Sequence, residues 1–185
     1  MKTKMPYAQA LGLAEKFITQ IRPMCDRVEI AGSLRRKKDQ VGDIEIVCIP
    51  KIVKAPDMFG YAISSRPIDE IGARFKLVKN GPNYKQLDMG SYHIDLFITT
   101  PAQWGVIFTI RTGSADFSHW LVTPRSKGGG CPSYLKVKDG RIDDGHKYIA
   151  TPEEQDVFTV MGIPYIEPEK RIEGHWTYGR EPFHV

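Results

Sequence analysis

Gly32-Ser33-Leu34-Arg35-Arg36-Lys37-Lys38-Asp39-Gln40-Val41-Gly42-Asp43-Ile44-Glu45-Ile46 joins a small, basic turn to a strand that opens with two acids. Upstream, Arg27-Val28-Glu29-Ile30-Ala31 alternates in polarity and reads as a short strand, which Gly32-Ser33 break. Leu34 to Gln40 is a polar, basic connection. Asp43 to Ile49 reads as a second strand, closed by Pro50. Along a strand, residues i and i+2 share a face. Asp43 and Glu45 therefore stand side by side, with Ile44, Ile46 and Cys48 opposite. A third acid, Asp95, sits mid-strand in His93-Ile94-Asp95-Leu96-Phe97. Acids so placed are costly unless paired or metal-bound. If the two strands are neighbours, three carboxylates converge. Taken alone, a D-x-E pair reads more readily as the wet face of an edge strand, because short motifs recur by chance.

Magnesium suits such a cluster: it takes hard oxygen ligands, typically a few carboxylates plus substrate phosphates. Two such ions lower the charge on the attacking and leaving oxygens of an in-line phosphoryl transfer. The Gly32-Ser33 turn fits the same chemistry. Its backbone N–H groups and hydroxyl can hold phosphate oxygens, and an adjacent arginine can neutralise them bidentately. In isolation the segment is a turn followed by a solvated charge run, Arg35 to Lys38.

Elsewhere the patterning outlines a mixed domain. Tyr7, Leu11, Ala14, Ile18 and Ile21 recur at helical spacing, with Pro6 opening and Pro23 ending the helix. Lys51 to Gly72 carries little pattern beyond a short helix at Ile68 to Ile71. Phe75 to Lys79 and Tyr84 to Met89 flank Asn80-Gly81-Pro82 and predict a hairpin. Tyr92 to Thr99 is a further strand. After Pro101 the texture changes. Trp104, Ile107 and Phe108 have helical spacing, Arg111-Thr112-Gly113-Ser114 interrupts them, and Asp116 to Val122 is a second helix stopped by Pro124. Ser126 to Pro132 is a basic, glycine-rich loop that either tracks a phosphate backbone or simply connects. Asp139-Gly140 signals another hairpin. Thr151-Pro152-Glu153-Glu154 reads as a capping box for a helix that Gly162 ends. The aromatic tail, with Trp176, Tyr178 and Phe183, offers surfaces for base stacking or for docking on the protein itself.

Composition narrows the classes. A chain of 185 residues buries roughly 70% of its unfolded surface and needs no staples. The net charge of +4 permits a phosphate-bearing partner without demanding one. Cys25, Cys48 and Cys131 are odd in number and widely spaced, with no zinc-like pairing, which fits a reducing, cytoplasmic setting. No apolar run suggests a signal peptide or a membrane span.

The motifs together are recognisable. Gly32-Ser33-Leu34-Arg35-Arg36 followed by Val41-Gly42-Asp43-Ile44-Glu45-Ile46 resembles the G-S-x-R-R…G-D-x-D signature of polymerase-beta-like nucleotidyltransferases. His93-Ile94-Asp95-Leu96-Phe97 resembles the strand bearing their third carboxylate. Arg111-Thr112-Gly113-Ser114 resembles the T-G-S motif that opens the thumb of family X DNA polymerases, and Thr151 to Arg171 is similar to the thumb's closing segment.

The resemblance implies an α+β fold: a nucleotidyltransferase palm over 1–100 with a mixed sheet and flanking helices, a small thumb over 101–172 and a tail over 173–185. It implies template-directed addition of dNMP to a DNA 3′-hydroxyl, in short-gap repair, by a monomer using two Mg2+ ions, with Mn2+ as a substitute. Asp43, Glu45 and Asp95 would bind the metals, and Asp95 would accept the hydroxyl proton. Gly32, Ser33, Arg36 and Gly42 would hold the triphosphate, with Arg35 supporting the loop. Arg111, Thr112, Gly113, Ser114 and Asp116 would lie along the sugar and base; His119 and Lys127 would meet DNA. In the family the Gly-Ser step of T-G-S carries a cis peptide, which extends to Gly113-Ser114 as an expectation.

The departures matter too. Glu45 stands where the family has aspartate, Ile110-Arg111 where it has Tyr-Phe, and His93 where arginine is common. The sequence shows no lyase domain ahead of the palm and no helix-hairpin-helix, so DNA binding should be weak, distributive and salt-sensitive. Two other readings stay open: a nucleotidyltransferase with an RNA, protein or small-molecule acceptor, and a DNA-end-binding module whose catalysis has decayed.

Overall fold

The computed structural model describes residues 4–56, 58, 62–174 and 176. The chain forms two compact units. One comprises 1–30 and 39–99; the other comprises 31–38 and 100–185.

In the first unit, β1 (Met5–Pro6) leads into α1 (Tyr7–Ile21). The residues α1 buries are Ala10, Ala14, Phe17, Ile18 and Ile21. That stripe lies to one side of the expected face, leaving Tyr7 and Leu11 half-buried, because Phe17 stacks edge-on with Phe75 at 5.3 Å. The strands β2 (Cys25–Ile30), β4 (Ile44–Pro50), β7 (Leu77–Asn80), β8 (Tyr84–Asp88) and β9 (His93–Ile98) form one sheet in the order β2-β4-β9-β8-β7; β3 (Gln40–Val41) pairs with β1 instead. Only β4 and β9 run parallel; the other neighbours are antiparallel. This is the mixed sheet with flanking helices expected of a polymerase-beta-like palm.

β4 is an interior strand, not an edge. Ile44, Ile46 and Cys48 are fully buried, as the period-two pattern requires. The hairpin of β7 and β8 matches its turn signal. The patternless stretch holds a two-stranded ribbon, β5 (Val53–Pro56) and β6 (Ala62–Ser65), whose β5 residues are all exposed, and a 3-10 segment at Pro67–Ala73 that buries Ile68 and Ile71. An exposed ribbon lacks the half-buried alternation by which strands are read.

The second unit begins with α2 (Gly32–Arg35), a single turn where a polar connection was expected. It continues with α3 (Trp104–Thr112), α4 (Ala115–Val122), a small sheet of β10 (Lys136–Lys138), β11 (Arg141–Asp143) and β12 (Tyr148–Ile149), and α5 (Glu154–Met161). Its core gathers Val106, Phe117, Leu121, Cys131, Ile142, Val157 and Phe158, among others. Burying each large apolar side chain contributes about 1.5–3 kcal/mol. α3 and α5 approach closely at Gly105, whose N–H donates to the Thr151 carbonyl at 2.7 Å. A Cβ there would collide with the Thr151 and Glu153 carbonyl oxygens.

That contact corrects the expected capping box. Thr151 is tied by its backbone to Ala102 and Gly105, so α5 starts two residues later, capped reciprocally by Glu153 and Asp156. Gly162 ends the helix with φ 61°. The glycine loop is likewise no free connection. Gly130 N–H donates to Trp120 O, Gly129 N–H to Pro124 O and Cys131 N–H to Thr123 O. Both Gly129 and Gly130 are buried. Among the described residues no helix is long and apolar enough to cross a membrane. Of the tail aromatics, Trp176 is described; Tyr178 and Phe183 lie outside the described residues.

Candidate active site

The acids and Gly42 belong to the first unit, and Gly32, Ser33, Arg35 and Arg36 to the second. Glu45 on β4 pairs in register with Asp95 on β9, and Asp95 pairs with Gln86 on β8. Directly paired residues share a sheet face, so one face carries Glu45, Asp95 and Gln86, with Tyr84 two residues along. Asp43 immediately precedes β4, two residues ahead of Glu45. All three acids are half-buried. Asp95 Oδ1 accepts two hydrogen bonds, from the Tyr84 hydroxyl at 2.7 Å and from Gln86 Nε2 at 2.9 Å. Tyr84 in turn stacks on Phe97 at 5.1 Å. These two donors fix the carboxylate's orientation. Neither was singled out from sequence, although Tyr84 and Gln86 share a strand face by the same i, i+2 rule that paired Asp43 with Glu45.

Among the described residues no group of three His, Cys, Asp or Glu side chains closes up as a metal site. The donor chemistry still suits a hard divalent cation: carboxylate oxygens on adjacent strands, one of them oriented by neighbouring donors.

In the second unit, Gly32 opens α2 with φ 62°. Glycine reaches that conformation without a Cβ penalty. The first N–H groups of a helical turn have no intrahelical acceptor. Ser33 is half-buried there and Arg36 nearly buried, with Arg36 Nη1 donating to the Thr112 carbonyl at 2.6 Å. Arg35 turns inward. Its Nη1 and Nη2 donate to Glu154 Oε1 and Oε2 at 2.9 and 2.7 Å, Nη1 also reaches Thr112 Oγ1 at 2.8 Å, and its guanidinium lies 3.9 Å from the Phe108 ring centroid. Glu154 Oε1 additionally accepts from Arg171 Nη1 at 2.6 Å. Arg171 is fully buried, facing the rings of Phe117, Phe158 and Tyr165. Burial pushes the Glu154 carboxyl upward, but the hydrogen bonds and charges of Arg35 and Arg171 outweigh it, so its pKa lies below the ordinary glutamate value.

This arginine–glutamate–arginine network escaped the sequence reading, which spent Glu154 on a helix cap. Its only sequence signal is an acid within the apolar-periodic start of α5.

The T-G-S segment is a helix break. Arg111 is half-buried in the last turn of α3. Thr112 is fully buried, holding Arg35 and Arg36. Gly113 separates α3 from α4, and a Cβ there would collide with the Phe117 ring. Ser114 caps α4, accepting from Phe117 N–H at 3.2 Å, and its own N–H donates to the Arg171 carbonyl. The expected cis step is absent: no described peptide is cis, in line with the steep cost of that form without proline. Asp116, His119 and Lys127 are exposed on the same unit and line one cavity. Gly42, by contrast, has open space where a Cβ would stand, so packing does not account for glycine there.

No protein-family model and no curated protein matches the chain. Among solved structures it resembles Leishmania infantum polymerase beta in a ternary P/T complex, with a TM-score of 0.62 and 15% identity over 91% of this chain and 77% of that one. The fold is therefore like that of polymerase beta.

Proposed function

We propose that the chain is a nucleotidyltransferase that adds dNMP from a dNTP to a DNA 3′-hydroxyl under template direction, filling short gaps in DNA. The observation that carries the reading is the register of Glu45 against Asp95 on adjacent parallel strands, with Asp43 two residues ahead, in a fold like that of polymerase beta. Asp43, Glu45 and Asp95 would hold two Mg2+ ions, or Mn2+ in their place. When bound, such ions reduce the charge on the attacking and leaving oxygens.

Asp95, oriented by Tyr84 and Gln86, takes the proton of the 3′-hydroxyl. That oxygen attacks the α-phosphorus. The bond from the α-phosphorus to the α,β-bridging oxygen breaks, and pyrophosphate leaves with its electron pair. Gly32, Ser33, Arg36 and Gly42 bind the triphosphate. Arg111, Gly113, Ser114 and Asp116 border the nucleotide, with Thr112 holding the arginines beneath them.

Transfer of radiolabelled dNMP to gapped DNA, with rNTPs and an RNA acceptor offered in parallel, tests the proposal. Asp95→Ala should abolish incorporation. Equal incorporation by parent and variant would remove the catalytic assignment. Transfer to RNA alone would change the acceptor, and DNA binding without incorporation would favour the decayed end-binding module.

A further inference from the structure

Asp116, His119, Trp120, Lys127, Gly174 and Trp176 line a cavity of about 360 Å³ in the second unit. That volume lies within the roughly 300–1,000 Å³ of small-ligand sites. Its aromatic wall is a contiguous set of rings. Trp176 lies 5.4 Å from Trp120 and, edge-on, 4.9 Å from Phe117. Trp120 is itself pressed against Gly130, where a Cβ would meet the indole at 2.9 Å. Trp176 comes from the C-terminal segment, which is tied down at several points. Gly174 N–H donates to Asp116 Oδ2 at 3.1 Å, Trp176 Nε1 donates to the Ile172 carbonyl at 3.1 Å, and Glu173 pairs with Lys38 at 2.6 Å.

The lining is chemically mixed, and the mixture selects an occupant. Three ionisable groups argue against a purely apolar ligand. The Asp116 carboxylate in the same lining as Lys127 argues against a bare anion or an acidic peptide. A nucleotide satisfies all of it: a flat base for the indoles, ring N–H or amino donors for Asp116, and a phosphate for Lys127 and His119. Base stacking on aromatic side chains is the usual means of holding single strands.

We propose that this cavity seats one unpaired base of single-stranded DNA, stacked on Trp176 with Trp120 backing that ring and its phosphate on Lys127, so that the segment carrying Trp176 is part of the DNA-binding surface. The proposal deepens the polymerase reading, in which Asp116, His119 and Lys127 already face substrate. It adds the tryptophans and the segment that carries Trp176.

Anisotropy of a fluorescein-labelled thymidylate hexamer, titrated with the full chain, tests it. Trp176→Leu should weaken binding about 5- to 150-fold, the effect of losing one stacked base. A hexamer with abasic residues should bind the parent more weakly than the intact one, yet bind Trp176→Leu and the parent alike. Lys127→Gln should lower the slope of log affinity against log salt by about 0.7. Far-ultraviolet dichroism of each variant must match the parent before its binding is read. Unchanged affinity in Trp176→Leu, or equal binding of the abasic and intact hexamers by the parent, would overturn the proposal. Hexamer binding that depends on Trp176, without any nucleotide incorporation, would remove the polymerase reading alone. Incorporation with hexamer binding indifferent to Trp176 would remove the cavity proposal alone.

Discussion

Replacing Glu154 with alanine should unfold the second unit more readily than any surface change. Glu154 is 5% exposed and receives three short hydrogen bonds from two arginines, at 2.9, 2.7 and 2.6 Å. Removing it strands Arg171, which is fully buried; Arg35, whose side chain is 22% exposed, can still reach water. Leaving one buried charge uncompensated costs about 3–5 kcal/mol. With a urea dependence of about 1–3 kcal/mol per molar, even the lower figure moves the unfolding midpoint down by about 1–3 M. Trp104, Trp120 and Trp176 all lie in the second unit, so intrinsic fluorescence reports its unfolding. Acid should erase the difference. Because the folded carboxyl titrates below its unfolded value of about 4.3, its contribution is fully present above that value and is lost as pH falls through the folded pKa. Parent and variant should therefore converge as pH falls through the folded pKa, below the unfolded value. A midpoint shift under about 0.3 M at neutral pH, or a gap that widens as pH falls, would refute the network as a stability element.

Three further outcomes are expected. Tyr84→Phe combined with Gln86→Leu should lower kcat about 10- to 100-fold with little change in KM, since mispositioning a reacting group is costly; an equal rise in KM with kcat intact would assign these residues to binding. Ser114→Ala should destabilise the second unit by about 1 kcal/mol, the usual worth of a helix N-cap, seen as a lower urea midpoint. Binding to gapped DNA should weaken steeply with salt, and a slope near zero by anisotropy would contradict phosphate-dominated contact.

Much of the first unit was legible because its signals are local. Glu45 and Asp95 sit in strands whose period-two alternation is clear, Asp43 directly precedes the first of them, and Asn80-Gly81-Pro82 announces its hairpin. The second unit was harder, because residues 31–38 pack with a segment that begins at residue 100. No window of sequence shows that Arg35 will meet Glu154, 119 positions away. Capping misled for a related reason: a short S/T-x-x-E pattern is a local rule, and a tertiary hydrogen bond from Gly105 overrode it at Thr151.

The same contrast bears on Glu45, the acid that departs from the family pattern. Sequence alone leaves it either a misplaced ligand or the wet face of an edge strand. The edge reading fails because β4 lies between β2 and β9, and a half-buried acid on an interior strand, opposite another acid in register, is unfavourable without compensation. Tyr84 and Gln86 orient the Asp95 carboxylate across from it. Glu45 and Asp95 would together hold a divalent cation, whose positive charge would offset theirs. Glu45→Gln should lower the thermal shift produced by Mg2+. An unchanged Mg2+ shift in that variant would place Glu45 outside the metal site.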